Sequence, residues 1–298
     1  THVIEEKARF KPDFIIYNHG WFDDDPKAKN IKYANIRGKW KNKNLKHVLI
    51  LNKEYSKLNQ KISEINNFHF DFIFSHLHSI EELLGREKNL IFLPLALKKE
   101  RFQKTKIKDI KDRKYDLYFS GILRNWNFPE SQGDLRIRIQ NELFYNLFNI
   151  PIIKKFKYKD LRIYWKPFYK SRIKNKISTL LHGPRLNEVD YFQKLGDSKC
   201  VLHTSSPMGI VSTRIFETLG SGALGVFSEN SNAKVLFRNK KHYIEFYDVE
   251  NFIQYIYQIK DIKNDQYFQK IADNGKNETQ SKHNWGSRLI SFIKEINA

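Results

Sequence analysis

Ser198-Lys-Cys-Val-Leu-His-Thr-Ser-Ser-Pro-Met-Gly-Ile-Val-Ser-Thr-Arg-Ile-Phe-Glu-Thr-Leu-Gly-Ser-Gly-Ala-Leu-Gly-Val-Phe227 reads as strand, loop, helix, turn and strand. The apolar run 200–202 gives the first strand, and the small polar residues 203–207 give the loop. Ser212 is placed to cap a helix whose N-terminus it begins. Gly220, Gly222 and Gly225 end that helix, and 223–227 is the next strand. Arg214 and Glu217, three apart, share one face of the helix near its N-terminus. Such a pair has two readings. The helix end and Arg214 hold a phosphate while Glu217 accepts from a sugar's hydroxyls, or the two form an i,i+3 ion pair on a solvated face.

The segment 213–227 resembles the donor-binding signature of GT-B fold glycosyltransferases, closest to the group-1, spore-maturation-like type. It is more distantly similar to phage DNA β-glucosyltransferases. The resemblance implies two Rossmann-like α/β domains facing across a cleft. It also implies that Arg214 contacts the donor pyrophosphate beside Ser212 and Thr213, and that Glu217 binds the ribose. Many retaining members carry a second Glu eight residues before this one, where this chain has Gly209. That departure bears on retaining chemistry more than on donor binding.

Working outward, residues 13–17, 47–51, 70–74 and 90–97 are apolar runs separated by helical or polar segments. Strands alternating with helices imply a parallel sheet with its loops gathered at the carboxyl edge. Ser79 and Glu82 form a capping-box pattern after the third run. Residues 98–114 are charge-rich and read as a linker. Residues 116–121 open a second α/β domain, in which Ser120 and Gly121 let a ligand approach the backbone and Arg124 lies on the loop beyond. The expected organisation is therefore 1–97, an acceptor-side domain shortened at its N-terminus by comparison with the family, then 98–114 as linker. The resemblance implies that 115–280 is the nucleotide-sugar domain and that 281–298 is a helix crossing back to the first, with Trp285, Leu289, Phe292 and Ile296 on one side. The resemblance places Arg124 on the diphosphate and the loop Gly183-Pro184-Arg185 on the nucleobase.

The chain has 298 residues, is 40% hydrophobic and carries a formal charge of +20. That excludes a disordered acidic chain and points to an anionic partner. Residues 154–176 hold ten Lys or Arg, six aromatics and one acid. Such a run suits single-stranded nucleic acid or a membrane interface, but more often is a strand with its aromatics inward and its cations solvated. One cysteine excludes an internal disulfide and fits a cytoplasmic protein, or one peripheral to the inner face of a membrane. No apolar run approaches the roughly 18 residues of a membrane span. Asp23-Asp-Asp25 before Pro26 reads as an acidic turn, and no metal and no cofactor is expected.

Inverting glycosyl transfer needs a general base near the acceptor hydroxyl. His19, Asp23, Glu54, His76 and His78 qualify by position, with Glu54, His19 and His76 the leading candidates. The expected activity is metal-independent transfer of a sugar from a nucleotide-diphosphate donor, UDP-sugar favoured, to a surface glycan or lipid-linked acceptor. A DNA acceptor and a non-catalytic basic binding module are the alternatives.

Overall fold

The computed structural model describes residues 13–18, 45–52, 54, 58–67, 70–84, 89–102, 107–123, 132–146, 154–169, 176, 179 and 186–297. The chain divides into two compact units, Thr1–Pro94 with Phe292–Ala298, and Leu95–Ser291.

In the first unit, strands β1 (Phe14–Asn18), β2 (Lys46–Ile50), β3 (Phe72–Ser75) and β4 (Leu90–Phe92) form one parallel sheet in sequence order. Helix α1 (Leu58–Asn67) follows β2, and the short α2 (Ile80–Leu84) follows β3. Val48, Phe74 and Leu93 make its core together with Phe292 and Ile296 from the chain's end. Phe292 lies 4.6 Å from Phe74 and 6.3 Å from Phe14, ring centre to ring centre. The fourth strand stops at Phe92 instead of running to Leu97. Pro94 has no N–H to give to a sheet ladder, and Leu97 instead bonds to His283 and Trp285, with Leu97 N 2.8 Å from His283 O.

The second unit contains β5 (Tyr115–Leu123), α3 (Gln132–Leu143), the antiparallel pair β6 (Phe144–Asn146) and β7 (Lys154–Phe156), and β8 (Ile163–Tyr169). Then come α4 (Glu188–Gly196), β9 (Ser198–His203), α5 (Thr213–Gly220), β10 (Leu224–Ser228) and β11 (Ile244–Phe246). Helices α6 (Val249–Lys260), α7 (Asp265–Lys282) and α8 (Trp285–Asn297) close the chain, and α8 runs from this unit into the first. The sheet order is β11-β10-β9-β5-β8, all parallel.

Both faces of this sheet are buried, and every residue of β9 and β10 is buried, the polar Ser198, Lys199, His203 and Ser228 included. Alternate residues sort to opposite sides. Leu117, Phe119, Cys200, Leu202, Leu224 and Val226 share one core with residues of α3, α6 and α7. Tyr118, Val201 and Phe227 share the other with Phe192 of α4 and Ile215, Phe216 and Leu219 of α5.

Residues 98–114 belong to the second unit rather than forming a free connection. Composition hid their anchors: Phe102 and Ile110 are buried, and Arg113 is 1% exposed. Arg113 donates to the carbonyls of Lys108, Ser198 (3.0 Å) and Gly222 (2.8 Å), and burial lowers its pKa to about 10. In the basic segment 154–176, as the inward-aromatic reading expects, Tyr164 and Trp165 pack within the fold. Trp165 stacks on Phe119 at 4.3 Å and Tyr164 on Tyr118 at 5.4 Å. Arg162 grips Asp116 with two nitrogens. On α8, Phe292 and Ile296 are buried, whereas Trp285 and Leu289 are 47% and 60% exposed. Only the part of that helix lying on the first unit's sheet is covered in its stripe.

Candidate functional site

The order of strands in the second unit locates its crevice. From β5 the chain moves to β8 on one side and then returns to β9 on the other, so the topology reverses between β5 and β9. Ligands of open parallel sheets bind at such a switch, outside the carboxyl ends of the strands. Pairing of β5 with β9 ends at Tyr118↔Val201, while pairing with β8 continues to Leu123↔Tyr169. Ser120, Gly121 and His203 therefore lie where the two central strands part.

Helix α5 starts over that opening. Ser212, in extended backbone, caps it by accepting from Arg214 N at 3.3 Å. Its apolar face, Ile215, Phe216 and Leu219, is buried. The helix stops because Gly222 adopts φ +71°, and Ser221 N and Gly222 N bond back to Glu217 O (3.0 Å) and Leu219 O (2.9 Å). Arg214 and Glu217 do not pair with each other. The half-buried Arg214 donates through Nη1 to Ser120 O. A Cβ at Gly121 would stand 3.0 Å from that same Nη1, so the glycine leaves room for the guanidinium. Thr213 is exposed beside it.

Glu217 is held from two other sides. Tyr191 of α4 donates its hydroxyl to Oε2 at 2.9 Å, and Arg101 Nη1 lies 3.4 Å from Oε1. Arg101 is braced in turn by Glu188 at 2.7 Å. Burial raises the Glu217 pKa, against the opposing pull of the Tyr191 hydroxyl, Arg214 and Arg101. The carboxylate is thus oriented by a phenol and a cation, an arrangement suited to accepting from hydroxyls. Gly209, eight residues earlier, has φ +71°, and a side chain there would collide with Asn232, whose Nδ2 bonds Gly209 O at 2.7 Å. The loop is built for a residue without a side chain, so the second carboxylate of retaining relatives has no place at that position.

Two more residues join this opening that no sequence motif announced. Arg136 of α3 donates through Nε to Thr204 Oγ1 and through Nη2 to Ser205 O at 3.0 Å. His203, the last residue of β9, is 7% exposed and packs edge-on to Phe227. Burial and the Arg214 charge lower the Arg136 pKa to about 10. Burial, Arg136 and Arg214 hold His203 well below the usual imidazole range. An aromatic Tyr191 and a linker-like Arg101 were equally silent in the sequence. All four act through tertiary placement.

In the first unit, Glu54 is fully buried after β2. Its Oε1 accepts from Ser75 Oγ (2.9 Å) and His76 N (2.8 Å), so it fixes the loop at the end of β3. His76 donates from Nδ1 to Leu93 O at 2.6 Å, which leaves Nε2 as the basic nitrogen. His78 is exposed. His19, Asp23, Arg124, Gly183, Pro184 and Arg185 lie outside the described residues. Among the described residues no group of three or more His, Cys, Asp or Glu is placed to hold a metal ion. Nor is any helix among them long and apolar enough to cross a membrane.

Residues 152–294, which include Arg214 and Glu217, match the family model described as glycosyl transferase-like. No curated protein sequence matches the chain. Solved structures share its fold at low identity. Sucrose-phosphate synthase from Thermosynechococcus elongatus is 10% identical with TM-score 0.57, over 96% of this chain and 73% of that one. Anabaena HepE in complex with UDP-glucose is 13% identical with TM-score 0.56, over 85% of this chain and 72% of that one. An alpha-glucosyltransferase in complex with UDP is 11% identical with TM-score 0.55, over 90% and 78%. Residues 152–294 are thus similar to a glycosyl transferase-like domain, and the chain shares its fold with these glycosyltransferase structures.

Proposed function

We propose that the chain transfers a sugar from a nucleotide-diphosphate donor, UDP-sugar favoured, to a glycan or lipid-linked acceptor. Arg214 and the α5 N-terminus take the diphosphate, with Arg124 as a second contact, and Glu217 takes the ribose hydroxyls. The observation that carries this reading is that Glu217 and Arg214 are held apart by different partners, Tyr191 with Arg101 and Ser120. UDP or UDP-glucose bound to structural neighbours supports the choice of donor. Ser212, Thr213, Ser120 and Gly121 shape the opening around the phosphates, and Gly183, Pro184 and Arg185 hold the base.

Charge develops on the diphosphate as it leaves, so the fixed guanidinium and helix end stabilise the transition state more than the bound donor. The acceptor proton goes to a base on the first unit. His76 is the preferred base, since its Nδ1 is committed to Leu93 O and its Nε2 is left to accept. Glu54 serves as its support through His76 N. With no carboxylate at Gly209, transfer with inversion is the favoured outcome.

The charge of +20 favours a second reading in which the acceptor is DNA. Thermal shift with UDP, GDP, CMP and dTDP sugars tests the donor. A ligand at 100 times its Kd adds about 2.7 kcal/mol, or about 5 °C in Tm. UDP-sugars should give that shift, and absence of a shift with all four contradicts the donor reading. DNA as acceptor predicts that duplex DNA accelerates loss of the donor, with a steep salt dependence. A glycan acceptor predicts neither.

A further inference from the structure

We propose that His203, with Arg136 and Arg214, seats the nucleotide's diphosphate and takes up a proton when the free nucleoside diphosphate, the product left by sugar transfer, is bound. The proposal rests on the nucleotide-sugar reading above. Its starting point is an unfilled hydrogen-bonding position. His203 Nε2 is shielded from solvent and has no hydrogen-bond partner, although the residue is 7% exposed. A buried polar nitrogen without a partner is costly, and in a native site it marks a position that something else fills.

The surroundings say what fills it. His203 lines a cavity of about 20 Å³ together with Ser120, Arg136, Thr204 and Arg214. That is room for about one water or one oxygen of a larger ligand. Among the described residues, the charged side chains lining it are two guanidiniums, one from α3 and one from α5. The other titratable groups lining it are Tyr118 of β5 and Tyr191 of α4, both kept protonated because burial raises them. Glu217, one turn along α5 from Arg214, is turned to Tyr191 and Arg101. Two cations facing a closed space, with a neutral imidazole between them, make a site for an anion.

Charge balance then fixes the protonation. Without ligand, burial and both guanidiniums keep His203 neutral. The donor's diphosphate, esterified at both ends, carries two negative charges and is matched by Arg136 and Arg214, whereas the free, fully ionised nucleoside diphosphate carries three. The third charge reverses the local field, and a proton on His203 completes the balance while Nε2–H donates to a phosphate oxygen. Binding of the free nucleoside diphosphate and binding of the proton therefore favour each other.

The test is calorimetry of UDP with the full chain at about pH 7.5, above the phosphate's own second pKa near 6. Two buffers of different ionisation enthalpy read the protons exchanged. Wild type should take up a proton fraction on binding. His203→Gln, which keeps an N–H donor but does not titrate, should still bind UDP with that uptake lost. Arg136→Gln should weaken UDP and inorganic pyrophosphate about 10-fold or more, with uridine binding unchanged. Circular dichroism establishes that each variant is folded. Wild type binding UDP without proton uptake overturns the proposal and needs no variant. Uptake that persists in His203→Gln, or wild-type affinity in folded Arg136→Gln, overturns it too, and both leave the donor reading standing. Wild type that binds no UDP overturns the donor reading itself.

Discussion

His283 shows how a single side chain ties this fold to pH. It is 8% exposed, and its Nδ1 accepts from Arg288 Nη2 at 2.7 Å. Burial and the neighbouring guanidinium lower its pKa to about 4. The unfolded chain then binds this proton first as pH falls, so stability is full above about pH 6.5 and is lost between about 6.5 and 4. The loss from this residue is about 3 kcal/mol. His283→Gln should flatten the dependence of the urea midpoint on pH over that window, and an unchanged slope would assign it to other groups. At this scale the sequence was readable where spacing carried the information. Arg214 and Glu217 stood out because three residues of helix put them on one face. Arg136, His203, Tyr191 and Arg101 did not, because each meets the site from a different element and only burial and contact reveal it.

Among the elements, strands of the parallel sheets were legible to within a few residues, since burial on both faces leaves an apolar run. The antiparallel pair Phe144–Asn146 and Lys154–Phe156 was not foreseen. Its residues lie in a run whose charges dominate any count. The same masking made 98–114 look like a linker. Its anchoring predicts a large cost for losing Arg113, whose guanidinium satisfies carbonyls of Lys108, Ser198 and Gly222. Arg113→Leu should lower stability by about 3–5 kcal/mol, measured by urea denaturation, because several buried carbonyls lose their donor together. A change below about 1 kcal/mol would return the segment to the status of a tether.

For the whole molecule, a charge of +20 sets how it meets anions at a distance. Tyr164 and Trp165 of β8 stack on Tyr118 and Phe119, and Lys157 lies 3.7 Å from Glu142, so these members of the basic run are engaged within the fold rather than offered as a stacking platform. Replacing Lys154, Lys155, Lys157 and Lys159 together with Gln should weaken association with DNA or anionic vesicles and shallow its salt dependence, with little loss of stability. An unchanged salt slope would place the anion contacts elsewhere on the surface. Donor binding should be untouched by these four changes, because the lysines lie on β7 and before the start of β8, whereas the candidate donor site lies past the carboxyl ends of β5 and β9.

The central claim is that Glu217 and Arg214 bind one nucleotide in different roles, and calorimetry of UDP tests it most directly. Glu217→Gln loses a charge-assisted acceptor for the ribose, which is worth roughly 1.5–3 kcal/mol, so UDP should bind about 10- to 150-fold more weakly. Arg214→Lys keeps a charge without the forked geometry and should also be impaired, chiefly in kcat when donor turnover is followed. Loss of UDP affinity in a folded Glu217→Gln protein is the predicted result. Wild-type affinity in that variant would contradict the account, leaving the carboxylate as no more than a partner for Tyr191 and Arg101.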